Sequence, residues 1–489
     1  MVAHTKGIDD ISVYVPKLFL KIDQLAKQRG IEVEKLRKGL GLEKMALPDV
    51  FEDTATMGAN AVLSLMQKNK LKPQDIGRIY LGTESALDSA KPTASYILEM
   101  LIGWYANDFG KNCFNHCDVI DMTFACIGGV DALQNTLDWV HNQDDRIGIV
   151  VTSDFAKYEL NSTGEYTQGA GAVALLIKQN PRLIEIEDHW GIATQPVHDF
   201  FKPRRRLEKS ALFQEAMILG GMGDRKAADI WESLDIKSKQ SFAGVDEDEL
   251  TIFKETPVFD GQYSNDCYKN RILEAFDHYK EQQPNFSFKD WDFFALHLPY
   301  AFHGKRIFVE VFLRGLIEDG EMDAFLKNHN LQISSADFYS ADFLKFLYKS
   351  KDYIEFIQNK MAFSSQASSQ VGNMYACSIF LSLASLFESA LAKNIELSEK
   401  KIGFFAYGSG SKAKVFTGKV KSTWHQVSQE INLFEMLENR RSIDYTTYES
   451  LHREQKKEAI FPPSKTFACK GIVRERGPEE GKRSYHYVR

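Results

Sequence analysis

Apolar residues along the chain follow two periods, and the switches between them mark its elements. Ile8, Ile11, Val13 and Val15 partly alternate from Gly7 to Pro16, which predicts a strand ended by Pro16. Asp23 to Leu40 is charged and helical in period, and Thr54 to Met66 (TATMGANAVLSLM) predicts a capped, largely buried helix. Ile76 to Thr83 (IGRIYLGT) is an apolar strand that delivers Glu84 and Ser85 at its carboxyl end. Ala90 to Leu101 returns to helix. From Asp121 to Asn142 (DMTFACIGGVDALQNTLDWVHN), an apolar run ends in Cys126, a Gly-Gly pair follows, and a helix begins. Ile127, Val130, Leu133, Leu137 and Val140 form its apolar face. Ile147 to Thr152 (IGIVVT) and Ala172 to Ile177 are further strands. This alternation predicts a layered α/β domain with functional residues at strand-to-helix turns.

The pattern lapses and then returns. Lys202 to Thr256 is charged, with little strand signal, and predicts a helical insertion. Its Lys-Pro-Arg-Arg-Arg run reads as a solvated charged face. LGGMGD at Leu219 to Asp224 is no dinucleotide fingerprint, because no strand precedes it and the spacing is wrong. Asp292 to Pro299 (DFFALHLP) is again a strand, carrying His297. Charged helical segments follow from Val309 to Lys360, and Met374 to Ala392 is apolar nearly all round, a core helix. Lys401 to Tyr407 (KIGFFAY) is a strand that delivers Gly408-Ser409-Gly410-Ser411. The second half thus repeats the element order of the first without a residue-level repeat. Beyond Lys465 the chain is polar and Gly/Arg-rich, which predicts an extended or mobile arm.

Composition narrows the class. A chain of 489 residues can bury large cores, and a formal charge of −7 gives no nucleic-acid or anionic-membrane signal. The N-terminus lacks a signal-peptide plan, and the longest apolar candidate, Ala376 to Ala392, is broken by serines and Glu388. Six cysteines in so long a chain are not a disulfide framework, so a reducing cytoplasm is expected.

Glu84, Cys126 and His297 each close a strand or open a helix, so layered sheets would turn them towards one crevice. A cysteine at a helix start sees unpaired backbone N–H groups and the positive end of the helix dipole, which lower a thiol pKa from about 8.5. Each residue also has a plainer reading: Cys126 as a buried structural thiol, Glu84 as a helix cap, His297 as a satisfied core histidine. Cys113, His116 and Cys117 offer close-spaced metal ligands, but a structural zinc takes four and no partner motif is evident, so no metal is expected.

Several motifs in order resemble the hydroxymethylglutaryl-CoA synthases, a family of the thiolase superfamily. They are GIDDISVYVP, GTESALDSAK around Glu84, the Cys126 turn, SDFAKYELNSTGEYTQGAGAVA, HDFFKP at His198 to Pro203, LHLPY around His297, VGNMYACS around Asn373, and YGSGS at Tyr407 to Ser411. The resemblance implies a thiolase-like, duplicated five-layer αβαβα fold, usually a homodimer. The first half would span 1–180 and the second 181–465, with insertions near 204–255 and 318–362 and a polar tail over 466–489. It implies condensation of acetyl-CoA with acetoacetyl-CoA to 3-hydroxy-3-methylglutaryl-CoA in the mevalonate pathway, with CoA thioesters as substrates and no cofactor. Cys126 would carry the acetyl group, Glu84 would remove its methyl proton, and His297 would polarise and protonate the acceptor ketone. The Cys126 and Ser409 backbone N–H groups would form the oxyanion hole, and a desolvated Glu84 would be a stronger base. Tyr158, Asn161, Thr167, Asp199, Asn373, Tyr375 and Ser409 match positions that line the acyl and CoA pocket.

The chain departs from the family pattern at two places. Ile127 stands where the family often has Tyr, and Phe302 where it commonly has a lysine that contacts CoA phosphate, leaving Lys305 or Arg306 for that contact. Two enzymatic alternatives share most motifs. One is a polyketide β-branching synthase whose acceptor sits on an acyl carrier protein, with Arg204 to Arg206 as a docking patch. The other is a Cys-His-Asn ketoacyl synthase, which has no need of Glu84. A non-catalytic acyl-CoA binder would have no use for the nucleophile.

Overall fold

Side chains of successive strand residues enter different cores, and that sorting defines the layers. The computed structural model describes residues 5–244, 247–475 and 477–489. In the first half, strands β1 (Lys6–Tyr14), β2 (Ile76–Gly82), β3 (Asp118–Met122), β4 (Ile147–Ala156) and β5 (Gly169–Gln179) alternate with helices α1 (Thr54–Lys68), α2 (Thr93–Phe109) and α3 (Gly128–His141). The second half holds β6 (Ile184–Thr194), α4 (Gly261–Gln282), β7 (Phe293–Leu296), α5 (Lys351–Val371), α6 (Ser378–Ala392), β8 (Lys401–Gly408) and β9 (Lys412–Val420). Val150, Val173 and Leu175 point into a central core with α3 and α6, whereas Ile149, Val151, Ala174 and Leu176 point out against α1 and α2. Phe404 and Phe416 enter the same central core from the other sheet, while Phe405 and Val415 point out against α4. Helix, sheet, helix, sheet, helix is the resulting order.

Strand topology shows the duplication that the sequence shows only in outline. The first half runs β1-β5-β4-β2-β3, with β5 antiparallel to both neighbours and β2 parallel to β4 and β3. The second runs β6-β9-β8-β7, with β9 antiparallel to both neighbours and β7 parallel to β8. Among the described residues, only β3 lacks a counterpart. Gly7↔Glu185 and Ile8↔Ile184 join β1 to β6, so hydrogen bonding runs on through nine strands. Helix α6 lies within an apolar span, Tyr375–Ala392, of membrane-crossing length. Phe380, Leu383, Leu386 and Phe387 are fully buried in the central core, so it is a core helix.

Three segments differ from expectation. The insertion belongs to a separate unit, Phe200–Asp260, whose helices are closed off by strands. Arg204–Glu208 pairs antiparallel with Glu249–Phe253, and Phe200–Phe201 with Val258–Phe259. An exposed two-stranded ribbon tolerates arginines: Arg206 faces Glu249 at 3.5 Å and Arg204 lies over the Phe253 ring at 4.9 Å. Val245 and Asp246, inside the expected insertion, and Arg476, in the expected tail, lie outside the described residues. The second expected insertion, near 318–362, runs through Met322–Asn328 and Ala341–Lys349 into α5, a helix of the body that packs on α6. The tail is no free arm. It forms a hairpin of β10 (Thr466–Ile472) and β11 (Arg483–Val488), with Phe467 buried and Tyr487 against Trp104 at 4.4 Å.

The start of α3 approaches the ends of β2 and β8 at backbone distance. A Cβ at Gly82 would lie 2.2 Å from the Gly129 nitrogen, and one at Gly408 would lie 2.6 Å from the Phe124 carbonyl oxygen. Gly82→Ala should therefore lower the thermal midpoint of unfolding, with a loss of roughly 1–3 kcal/mol typical of overpacking. Gly103→Ala, in α2 with open space around it, should leave the midpoint unchanged or raise it.

Candidate active site

Cys126 sits at a strained turn. Ala125 before it has φ +40°, outside the usual range for a residue with a Cβ, and Cys126 itself is buried at 7 % exposure. The turn satisfies its own amides: Ile127 donates to the Phe124 carbonyl at 3.1 Å and Gly128 to Ala125 at 3.4 Å. These two amides are therefore not the unpaired donors expected from the sequence. Ile127 is fully buried in the central core, with its Cγ2 against Gly408, so its side chain is packing rather than crevice wall.

Glu84 comes to the sulfur from the end of β2. Its Oε1 accepts from Cys126 Sγ at 2.9 Å. Thr83 N–H donates to Met122 and Thr123 Oγ1 to Thr83, binding the two turns together. Asp154, at the end of β4, is fully buried and braces them. Its Oδ1 takes the Glu84 N–H at 3.0 Å and the Thr83 hydroxyl at 2.9 Å, and its Oδ2 takes the Ala376 N–H at 2.9 Å from the second half.

The second half supplies His297 and Asn373. His297 follows β7, and its N–H continues the ladder to Phe405 at 3.0 Å. Burial pushes its imidazole down to about 3, so the ring is neutral, with a hydrogen bond to the Tyr375 backbone. Tyr268 of α4 donates to the His297 carbonyl at 2.8 Å and stacks on its ring at 6.0 Å. Asn373 Oδ1 takes the Tyr375 N–H at 2.8 Å, and its own N–H donates to Thr167 at 2.8 Å. Burial, then the nearby Tyr158, Glu84 and Cys126 charges, hold the Tyr375 phenol well above its ordinary range. Burial, then Cys126 and Glu84, do the same for Tyr158. Thiol, carboxylate, neutral imidazole and carboxamide thus converge through Tyr375.

The family model described as hydroxymethylglutaryl-coenzyme A synthase N terminal matches residues 3–181, and the corresponding C-terminal model matches residues 250–470. The chain belongs to the hydroxymethylglutaryl-CoA synthase family. It is 27 % identical to the hydroxymethylglutaryl-CoA synthase of Haloferax volcanii over 99 % of both chains, and 27 % identical to that of Enterococcus faecalis over 92 % of both. Its fold is similar to that of MvaS in complex with 3-hydroxy-3-methylglutaryl coenzyme A (TM-score 0.75, 24 % identity, covering 99 % of this chain and 100 % of that one). It also resembles the curacin biosynthetic pathway HMG synthase in complex with apo donor-ACP (TM-score 0.71, 19 % identity, the same coverage).

The remaining residues matched to the family pattern separate by position. Tyr158 is buried, 6.3 Å from the Tyr375 ring, and Thr167 is buried with its hydroxyl on the Gly164 carbonyl. Asn161 is exposed at φ +64°, its N–H on Glu165. Ser409 lies in the turn that Gly408 seats on Phe124 and Ile127. Asp199 does not offer its carboxylate to the pocket. It holds the YGSGS turn, taking the Tyr407 hydroxyl at 2.6 Å and the Gly410 N–H at 2.7 Å. Lys305 is not brought to the crevice either: it lines a cavity of about 520 Å³ with Leu296 and Leu298, the neighbours of His297 that face the opposite way. Arg306 lies beside Tyr300 and Tyr166 instead. Phe302 packs its ring over Gly41. Sequence reasoning missed Asp154 and Tyr268, and also Glu165, a buried carboxylate that Arg29 grips at 2.7 and 2.8 Å. Among the described residues no group of His, Cys, Asp and Glu is placed to hold a metal ion; Cys113 is buried in the outer core, and burial pushes the Cys117 thiol up to about 12.

His303 lies edge-on to Tyr268 and Tyr300 at 4.5 and 4.9 Å, with neither ring nitrogen partnered among the described residues. Burial pushes it, like His297, down to about 3. Unfolded imidazoles bind protons below about 6.5. The unfolded state therefore holds more protons between pH 6.5 and 3, and stability should fall as pH drops through that window. His303→Leu should flatten this slope in denaturant melts taken at a series of pH values, and should not destabilise the fold at pH 7.

Proposed function

We propose that this chain is a hydroxymethylglutaryl-CoA synthase acting on acetyl-CoA and acetoacetyl-CoA. The observation that carries the reading is the 2.9 Å contact between Cys126 Sγ and Glu84 Oε1. A carboxylate that close to the sulfur is also within reach of the methyl group of an acetyl carried on it. Cys126 attacks the acetyl-CoA carbonyl, and its thiol proton passes to the departing CoA sulfur as the bond between that sulfur and the acetyl carbon breaks. Glu84 then removes a methyl proton from acetyl-S-Cys126. Backbone N–H groups of Cys126 and Ser409 hold the enolate oxygen, at about 3 kcal/mol for each such donor. The enolate carbon adds to the ketone of acetoacetyl-CoA, and neutral His297 relays to the new alkoxide the proton that Glu84 took from the methyl group, which leaves both residues as they began. Asn373 and Tyr375 orient that carbonyl. Water then hydrolyses the thioester, freeing Cys126 and 3-hydroxy-3-methylglutaryl-CoA.

Full-length relatives named hydroxymethylglutaryl-CoA synthase support the CoA-bound acceptor. The 19 % likeness to the curacin enzyme supports the fold alone, and the carboxylate at Glu84 speaks against a plain Cys-His-Asn ketoacyl synthase. Arg306, beside Tyr300, is the cation we assign to a CoA phosphate in place of Lys305. A mevalonate-pathway role as a cytoplasmic homodimer belongs to the same reading; six cysteines in 489 residues are not a disulfide framework.

Acetyl-CoA alone should leave an acetyl adduct on Cys126 by mass spectrometry, and acetoacetyl-CoA should then release 3-hydroxy-3-methylglutaryl-CoA. Glu84→Gln should still acetylate but condense about 10²–10⁴-fold more slowly. Turnover with a carrier-bound acceptor only, or an unmodified Cys126, would contradict the reading.

A further inference from the structure

The C-terminal hairpin reaches the Glu84 turn through a short series of hydrogen bonds. Cys469 N–H donates to the Phe51 carbonyl at 2.9 Å, and Phe467 N–H to Asn60 Oδ1 at 2.8 Å, seating β10 beside α1. From β11, Tyr485 Oη donates to Asp53 Oδ2 at 2.9 Å and the Arg483 guanidinium to the same oxygen at 3.3 Å. Asp53 Oδ1 caps α1 by accepting the Thr56 N–H at 2.8 Å. The next residue, Thr54, donates its hydroxyl to the Ser85 carbonyl at 2.8 Å, while its own carbonyl accepts from Ser153 Oγ at 2.6 Å. Ser85 directly follows Glu84. Tyr485 and Tyr487 fix the hairpin further against Tyr96 and Trp104, at 6.0 and 4.4 Å.

Arg483 and Tyr485 on β11 lie beyond residue 470, where the family match ends. A base must stay within hydrogen-bond reach of the atom it deprotonates, and a misplacement of about 1 Å can cost on the order of 10²-fold in rate. A short surface hairpin that holds the α1 cap therefore bears on Glu84 without touching substrate.

We propose that the C-terminal hairpin is a positioning element for the Glu84 turn: Tyr485 and Arg483 hold Asp53 and the start of α1, and Thr54 holds the carbonyl of Ser85. The catalytic consequence rests on the functional reading above, but the positioning does not. Tyr485→Phe removes the donor and keeps the ring, and Arg483→Met removes the second contact. The test follows alkylation of Cys126 by iodoacetamide against pH, read on the Cys126 peptide by mass spectrometry. A carboxylate beside a thiol raises the pH at which the thiolate forms, so a displaced Glu84 lowers the alkylation midpoint. Both variants should shift the midpoint downward, in the direction of Glu84→Gln, while Tyr487→Phe keeps the wild-type value. An unmoved midpoint in Tyr485→Phe and Arg483→Met, or an equal shift in Tyr487→Phe, overturns the proposal. In the condensation assay Tyr485→Phe should lower kcat by about tenfold, the scale of one lost hydrogen bond, with Cys126 acetylation and the KM for acetoacetyl-CoA unchanged. A parallel fall in acetylation overturns the proposal, since it marks general disruption. A wild-type protein that does not condense would sink the functional reading, and the alkylation midpoint would still decide the role of the hairpin.

Discussion

Asp154 is a carboxylate sealed at the junction of the two halves, and each of its oxygens holds one of them. Oδ1 accepts the Glu84 N–H and the Thr83 hydroxyl from the first half, and Oδ2 the Ala376 N–H from the second. Buried amides need partners, and each one left unpaired costs roughly 1–3 kcal/mol. The same group therefore stabilises the junction and fixes the distance between the Glu84 turn and the Asn373–Ala376 turn. The other contacts build outward from it. Thr83 and Thr123 tie the Cys126 turn to the Glu84 turn, and Asn373 ties its own turn to Thr167.

Around that junction the walls are aromatic and buried. Tyr158, Tyr268 and Tyr375 are all buried, and burial holds each phenol in its protonated form. The same burial keeps His297 neutral. Chemistry that generates an enolate gains from such surroundings, because neutral donors polarise a carbonyl without a competing buried charge, and fixed dipoles act more strongly where water is excluded. Gly82 and Gly408 make this possible by letting the α3 turn close on two strand ends where a Cβ would collide.

How much of this was legible in the sequence follows from what each feature depends on. Glu84, Cys126 and His297 stand at ends of apolar runs, and the two-residue and helical periods that place them are local. The duplication was legible in element order; its strand directions were not, because those depend on partners far along the chain. Asp154 reads in sequence like any polar residue that closes a strand, and only the arrival of Ala376 gives it a role. Tyr268 comes to His297 from a helix beyond the Phe200–Asp260 unit, with no local signal. The resemblance to the family pattern placed Asp199 in the pocket, whereas its carboxylate takes the Tyr407 hydroxyl and the Gly410 N–H. The facing of Lys305 depends on a helix of one short turn, His303–Ile307, and on Phe302 packing over Gly41. The tail misled because its aromatics are spaced among charges and pack across a hairpin that composition does not reveal.

The central claim is that Glu84 works as a base on whatever Cys126 carries. The direct measurement is loss of methyl protons from the acetyl-Cys126 enzyme in deuterium oxide without acetoacetyl-CoA, read by mass spectrometry of the Cys126 peptide. Deuterium should enter the acetyl group of the wild-type protein and not that of Glu84→Gln. Equal exchange in both would mean that another group removes the proton, and the account of this site would be wrong.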